Sequence, residues 1–234
     1  MIRHDYPQGG EQWIAARLAV ITASRLDSMM TGGGKVSKAK GVLTYRNELV
    51  AEALLRAPLD DTQTQWMQRG TEMEPQARAH YALYYAQEPV EVGFLTTDDG
   101  RVGASPDGLC GEDGGLELKC PGAKAHVGYL IDPATLAAKY KHQTQGGLYV
   151  SGRKWWDIAS YCPSPGDMPD MVVMRCWPDL EYQMNLDEAV AQMVARVDAA
   201  LKQIREIDPT AHLDQAGREQ VHEEETNPIS GWTD

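Results

Sequence analysis

Residues 103–121, GASPDGLCGEDGGLELKCP, set two acids and a lysine around a glycine-rich turn. Asp107 stands ten positions before Glu117, and Lys119 two positions after it. Alternate side chains of a strand share a face about 7 Å apart. Glu117 and Lys119 therefore hold a carboxylate and an ammonium over one patch, while Leu118 points the other way, into a core. A turn at Glu112-Asp113-Gly114-Gly115 folds Asp107 back beside Glu117. Two converging carboxylates with the Leu118 carbonyl between them supply the hard oxygen ligands that Mg²⁺ or Mn²⁺ prefers. Lys119 beside such an ion can orient a water nucleophile or help remove its proton. Leu116, Leu118, Cys120 and Pro121 are apolar, which places the strand inside a sheet, where unpaired charge is expensive. An edge strand with its Glu–Lys face in water satisfies the same residues, so the spacing alone leaves both readings open.

The elements that must position these groups follow from periodicity. Helices are expected over residues 11–18, from Thr22 as an N-cap, and over 43–55. Between the last two lies TGGGKVSKAKG, read as a flexible loop carrying Lys35, Lys38 and Lys40. It is not a phosphate-binding P-loop, because Met29 stands where that pattern needs Gly and Val36 where it needs Ser or Thr. A helix over residues 65–86 is expected to break near Gly70, with Pro75 beyond. Strands are expected over 90–97, 101–104, 116–119, 155–161 and 171–177. A helical region covers 133–150, and a last helix covers 185–206. The class is α/β (α+β), a mixed central β-sheet flanked by helices.

Composition bounds the rest. The 234 residues suffice for one substantial core, with no run of about 18 apolar residues to span a membrane and no charged-then-apolar leader. The expectation is a soluble, cytoplasmic protein. Cys110, Cys120, Cys162 and Cys176 form no C-x-x-C pair, which argues against structural zinc or an iron–sulfur cluster. Cys110 and Cys120 can meet across the hairpin, although two reduced thiols are the better expectation in a cytosolic protein. The net charge of −12 opposes nucleic-acid binding. The opposition is local, however. From Glu206 onward there are eight acids and a single base, Arg218. The chain is therefore divided into a domain over 1–206 and an extended acidic tail over 207–234.

Ser105-Pro106-Asp107-Gly108-Leu109 with Gly115-Leu116-Glu117-Leu118-Lys119-Cys120-Pro121 resembles the PD-(D/E)XK nuclease signature. Its wording is similar to the phage lambda-type exonucleases of the YqaJ-like viral recombinase family. Three further stretches agree in order: Trp13 with Arg17-Leu18 and Val20-Ile21-Thr22-Ala23-Ser24, Gly70 to Arg78 with Glu74, and Gln143-Thr144-Gln145 with Tyr149. The resemblance covers residues 11–205. It implies a restriction-endonuclease-like core and a two-metal phosphodiesterase. Asp107, Glu117, the Leu118 carbonyl and Glu74 would hold two Mg²⁺ ions, with Mn²⁺ as a substitute, and Lys119 would activate the attacking water. Arg17, Ser24, Ser105 and Gln145 would grip a terminal 5′-phosphate. Met67 would part the terminal base pairs, and Lys35, Lys38 and Lys40 would track the DNA. Trp13 is read as packing.

The activity so implied is a Mg²⁺-dependent 5′→3′ exonuclease on linear double-stranded DNA with 5′-phosphate ends. It would release mononucleotides and leave a 3′ single strand for recombination by annealing. A ring-shaped homotrimer, a single-strand annealing partner and a bacterial or phage-infected host cytoplasm come with it. A structure-specific or restriction-type endonuclease on the same core, and a non-catalytic DNA-end-binding module, are the alternatives. A Ser–His–Asp hydrolase is set aside, since Ser105 lies in no nucleophile-elbow motif.

Overall fold

The computed structural model describes residues 1–59, 65–85 and 88–207, with residues 65–71 described by their backbone alone. Its contacts divide the chain into two units, Met1–Val197 and Asp198–Asp234. The acidic segment expected from residue 207 lies almost wholly outside the described residues.

The mixed sheet expected at the centre is two sheets. In one, β1 (Ile2–His4), β4 (Phe94–Thr96), β5 (Val102–Ala104) and β2 (Ile21–Thr22) lie in that order, with β2 parallel to β5 and the other pairs antiparallel. The other runs β3 (Pro89–Val90), β6 (Gly108–Cys110), β7 (Gly114–Lys119), β8 (Trp155–Tyr161) and β9 (Met171–Cys176). Here β7 and β8 are parallel and the remaining pairs antiparallel. The single strand expected over residues 90–97 is thus split between the sheets, β3 pairing with β6 and β4 with β1 and β5.

The helices are α1 (Glu11–Arg17), α2 (Lys40–Leu55), α3 (Gln65–Tyr85), α4 (Ala123–Ile131), α5 (Pro133–Lys139), α6 (Lys141–Ser151) and α7 (Leu180–Arg205), with a 3₁₀ turn over Ala23–Ser28 after β2. The break expected near Gly70 does not occur. A glycine costs a helix only about 1 kcal/mol, whereas the following turns of α3 fully bury Ala77 and Tyr81 against the sheet.

β7 is the middle strand of its sheet, which rules out the edge-strand reading. Leu116 and Leu118 pack with Ala77 and Tyr81 of α3 and with Cys110, Ala159 and Tyr161. On the opposite face Ile158 packs with Tyr129 and Leu136 of α4 and α5. Glu117 pairs with Ile158 and Lys119 with Ser160 across the β7–β8 ladder, so both charges lie on the α4–α5 face. The register agrees with the expectation of two reduced thiols: Cys110 sits opposite Gly114 at the turn and does not meet Cys120 across the hairpin. None of the four cysteines is in a disulfide.

α6 spans the two sheets, packing on β4, β5, β7, β8 and the 3₁₀ turn. Its Gly146 makes this possible, since a Cβ there would lie 2.7 Å from both Ala23 Cβ and Leu26 Cδ1. The lysine loop is pinned. Thr31 N–H donates to Lys35 O at 2.7 Å, Gly34 N–H to Thr31 O at 2.8 Å, and Asn185 Nδ2 to Gly34 O at 2.9 Å. Gly34 has a positive φ of 77° and lies flat against the Tyr182 ring, where a side chain would collide.

Candidate active site

The hairpin β6–β7 brings the two acids together as the spacing implied. Leu118 N–H donates to Asp107 Oδ2 at 2.5 Å, and Asp107 N–H to Leu116 O at 3.0 Å. The carboxylate is thereby locked beside the middle of β7. Arg78 Nε, from α3, donates to the Asp107 carbonyl at 2.9 Å, and its Nη1 to Glu91 Oε1 at 2.6 Å. Glu117 Oε1 accepts from Lys119 Nζ at 2.6 Å and from Gln143 Nε2 of α6. The Lys119 ammonium also stands 5.1 Å from the centre of the Tyr140 ring.

Burial dominates the electrostatics. It pushes the Glu117 carboxyl up to about 8, with Asp107 and Glu74 adding to the rise and Lys119 opposing it. It pushes Glu74 up to about 7, with Asp107 adding and Arg78 and Lys119 opposing. Asp107 is raised as well, by burial, against the pull of Lys119. Burial would lower Lys119, but Glu117 and Asp107 together hold it above its ordinary value. Three acids that sense one another through space, with a single ammonium among them, form a site short of positive charge.

That shortage, and a donor set made of carboxylate oxygens, is what a hard divalent cation satisfies. Asp107, Glu117 and Glu74 fit Mg²⁺ or Mn²⁺ in chemistry. The Asp107 carboxylate is engaged by the Leu118 N–H, and that of Glu117 by Lys119 and Gln143. Among the described residues, no three carboxylate, imidazole or thiolate groups close on one point in this arrangement.

Two cavities flank these acids. One, of about 140 Å³, is lined by Arg17, Thr22, Ser24, Ser105, Glu117 and Gln143, together with Trp13, Gly147 and Trp156. The other, of about 610 Å³, is lined by Glu74, Arg78 and Asp107 on one side and by Arg3, Tyr6 and Gln8 on the other. The smaller is rich in hydrogen-bond donors. Arg17 Nη1 donates to Ser105 Oγ at 2.7 Å and Trp13 Nε1 donates to the same oxygen at 3.0 Å. With both lone pairs of that hydroxyl taken, its own proton is left to donate elsewhere. Thr22 and Ser24 share a hydrogen bond at 3.3 Å, in which either hydroxyl can donate. Arg17 lies 4.2 Å over the Trp13 ring, and among the described residues no carboxylate is within ion-pair distance of it. Burial lowers its guanidinium, with Tyr45 and Glu52 opposing.

Of the residues singled out from the sequence, Asp107, Glu117 and Lys119 lie together at the hairpin, Glu74 lines the larger cleft with Asp107, and Arg17, Ser24 and Ser105 line the smaller cavity. Gln145 does not. Its Nε2 donates to Trp177 O at 2.9 Å, and its Oε1 accepts from Asp179 N–H and Gln183 Nε2, both at 3.0 Å, which ties α6 to the segment leading into α7. Gln143 takes the place expected of it. Trp13 is more than packing, being wall and hydrogen-bond donor at once. Lys35, Lys38 and Lys40 are exposed on the pinned loop and the start of α2. The side chain of Met67 lies outside the described residues.

The family model of the YqaJ-like viral recombinase domain matches residues 12–154, more than half of the chain. An alkaline exonuclease (LHK-Exo) from Laribacter hongkongensis is 31% identical, with 84% of this chain and 96% of that one covered and a TM-score of 0.75. LHK-Exo in complex with dAMP gives 32% identity over the same shares at a TM-score of 0.73. A phage-related exonuclease from Haemophilus somnus 129PT is 15% identical over 79% of this chain and 96% of that one, at a TM-score of 0.63, and shares the fold. No curated protein sequence matches. With the family model matched over more than half of the chain and 84% of the chain covered by the match to LHK-Exo, the chain belongs to the YqaJ-like viral recombinase domain family.

Proposed function

We propose that this chain is a divalent-metal-dependent 5′→3′ exonuclease that degrades one strand of linear double-stranded DNA from a 5′-phosphorylated end. Family membership and the likeness to LHK-Exo support exonuclease activity on DNA, and the complex of that relative with dAMP suits a mononucleotide product. The observation that carries the finer reading is the small cavity. A half-buried guanidinium with no carboxylate at ion-pair distance among the described residues, ringed by the hydroxyls of Thr22, Ser24 and Ser105, lies beside Glu117. Its 140 Å³ suits a phosphate group rather than a nucleoside, and an anion is the ligand that its donors favour.

In this reading a terminal phosphate sits on Arg17, Ser24 and Ser105, and the next phosphodiester falls at Asp107 and Glu117. The continuing strand leaves on the side of the larger cleft. Asp107, Glu117, Glu74 and the Leu118 carbonyl would hold Mg²⁺, which when bound would neutralise charge on the phosphodiester and on both the entering and leaving oxygens. Lys119, held by Glu117, orients the attacking water. The water oxygen bonds to phosphorus, the P–O3′ bond breaks, and the departing 3′-oxygen takes a proton. The nucleoside 5′-monophosphate is released, and the shortened strand keeps a 5′-phosphate for the next cycle. A ring of three chains around the duplex, and delivery of the exposed 3′ strand to a single-strand annealing protein, complete the proposal.

The test is a duplex with one 5′ end phosphorylated and the other hydroxylated, followed with Mg²⁺ beside a covalently closed circle. Loss from the phosphorylated end with the circle intact is expected. Cutting of the circle, or equal loss from both ends, would overturn the reading. Sedimentation of the protein alone and with DNA tests the trimer.

A further inference from the structure

Trp156 is the largest fully buried side chain of the molecule's described part, and its indole Nε1 is the one buried side-chain nitrogen or oxygen there without a hydrogen-bond partner. A buried donor left unpaired has lost its water without gaining an acceptor, so its position in the fold calls for a reason. In the parallel β7–β8 ladder Trp156 stands opposite Gly115, two residues before Ile158, which is opposite Glu117. Period-two alternation puts the indole on the same face of the sheet as Glu117 and Lys119. The ring lines the small cavity with Arg17, Ser24, Ser105 and Gln143. Two glycines admit it. A Cβ on Gly115 would meet Cε3 and Cζ3, and one on Gly147 would meet Cζ2 and Cε2, the edge next to Nε1, at 2.6 and 2.8 Å. The ring is thus packed between the strand that carries Glu117 and the helix that carries Gln143, with the edge next to Nε1 against Gly147, which lines the donor-rich cavity with it.

We infer that the Trp156 indole N–H is a specificity-determining donor of the cavity, left unpaired by the protein so that it can bond an oxygen of the substrate's terminal phosphate. The inference rests on the terminal-phosphate reading above and adds a residue to it. Indole suits the task chemically because it donates and cannot accept. It therefore discriminates for an anion and against a terminal hydroxyl that would have to donate in turn. A neutral, rigid donor also adds no charge to compete with the cation that the neighbouring acids require. Binding substrate then supplies the missing acceptor, so the desolvation already suffered by the N–H favours the phosphorylated end.

The direct test follows the indole ¹⁵N–¹H resonances of the full-length protein, six tryptophans in all, during titration with dAMP and, separately, with deoxyadenosine. Trp156→Phe identifies the Trp156 signal by its loss, and if that variant does not fold, single Phe replacements of Trp13, Trp66, Trp155, Trp177 and Trp232 assign the other five signals and leave Trp156 by elimination. The Trp156 signal should move downfield with dAMP, saturate with it, and stay in place with deoxyadenosine. In kinetics, Trp156→Phe should lower the preference for 5′-phosphate over 5′-hydroxyl duplex by roughly tenfold or more, the worth of one hydrogen bond to a charged group. Its rate on the hydroxyl end should fall far less. A Trp156 resonance unmoved by dAMP, or an end preference unchanged in Trp156→Phe, would overturn the inference while leaving exonuclease activity in place. dAMP binding that is indifferent to Arg17→Ala would instead sink the terminal-phosphate reading, and the role of Trp156 with it.

Discussion

Replacing Glu52 should loosen the turn on which Arg17 is mounted. That turn joins α1, whose last residue is Arg17, to β2 and Ser24 beyond it, and it passes through Ala19 at φ 58°. The left-handed region costs an L-residue about 1–2 kcal/mol. Glu52, on α2, offsets this, because its Oε2 accepts the Ala19 N–H at 2.9 Å. A hydrogen bond to a charged acceptor contributes about 1.5–3 kcal/mol, enough to hold the strained turn with little to spare. The adjoining backbone is fixed from the same helix, where Tyr45 Oη accepts the Thr22 N–H at 3.1 Å.

Glu52→Ala should therefore lose about 1.5–3 kcal/mol in urea unfolding. Ala19→Gly should gain about 0.5–1 kcal/mol, strain relief less the extra freedom of the unfolded chain. The double variant should recover part of the loss, since glycine adopts the turn unaided. The functional readout is the rate ratio between 5′-phosphorylated and 5′-hydroxyl duplexes. A turn that drifts takes Arg17 away from Ser105, and each 1.4 kcal/mol of phosphate binding lost lowers the ratio about tenfold. Glu52→Ala with an unfolding free energy within about 0.5 kcal/mol of the parent, the scale of ordinary surface substitutions, would refute the strain argument. An unchanged ratio in a destabilised variant would show that the turn supports the fold without setting the pocket.

Burial raises Glu74 from 4.5 to about 7 and Glu117 from 4.5 to about 8. Acids raised on folding stabilise the protein fully below their unfolded value and lose that contribution as pH rises through 7–8. Without metal, the thermal midpoint should fall between pH 6 and pH 9, and Mg²⁺ should raise it more at pH 9 than at pH 6. A midpoint that rises with pH in EDTA would contradict this. Gly146→Leu should drive the 3₁₀ turn off α6, since even a Cβ there lies 2.7 Å from Ala23 and Leu26. The expected loss is about 1–3 kcal/mol or more in chemical denaturation, with loss of phosphate-end preference in whatever folds. Asp157, buried, accepts from Tyr81 Oη at 2.6 Å and from Arg175 Nε and Nη2, both at 2.8 Å. Asp157→Ala strands Tyr81 in the core and should cost about 3–5 kcal/mol in urea unfolding, while Tyr81→Phe should cost about 1–3 kcal/mol.

How far such a site can be read from a chain depends on whether the controlling contacts are local. Asp107, Glu117 and Lys119 were legible because one tight turn and period-two alternation decide where they point, and both lie within thirteen residues. The division into two sheets was not. Ile2–His4 is short, with two of its three residues polar, and becomes a strand only by pairing with Phe94–Thr96, ninety or more residues on. Helix α4 went unread because Gly122 at its start and Gly128 within it carry the composition of a loop, whereas packing of Tyr129 and burial of His126, between Ser160 Oγ at 2.8 Å and Pro169 O at 2.9 Å, make it a helix. The two glutamines of α6 show the limit most clearly. Residues two apart on a helix face nearly opposite ways, so one of Gln143 and Gln145 had to face the acids and the other could not. The resemblance alone pointed to Gln145. A local clue favoured Gln143: it stands four residues before Gly147, on the same side of the helix, and a glycine in a helix interior marks the side that another element approaches closely. Here that element is Trp156. The face of α6 that touches the site is thus written in its smallest residue, and it becomes readable only once it is known which neighbour has filled the space.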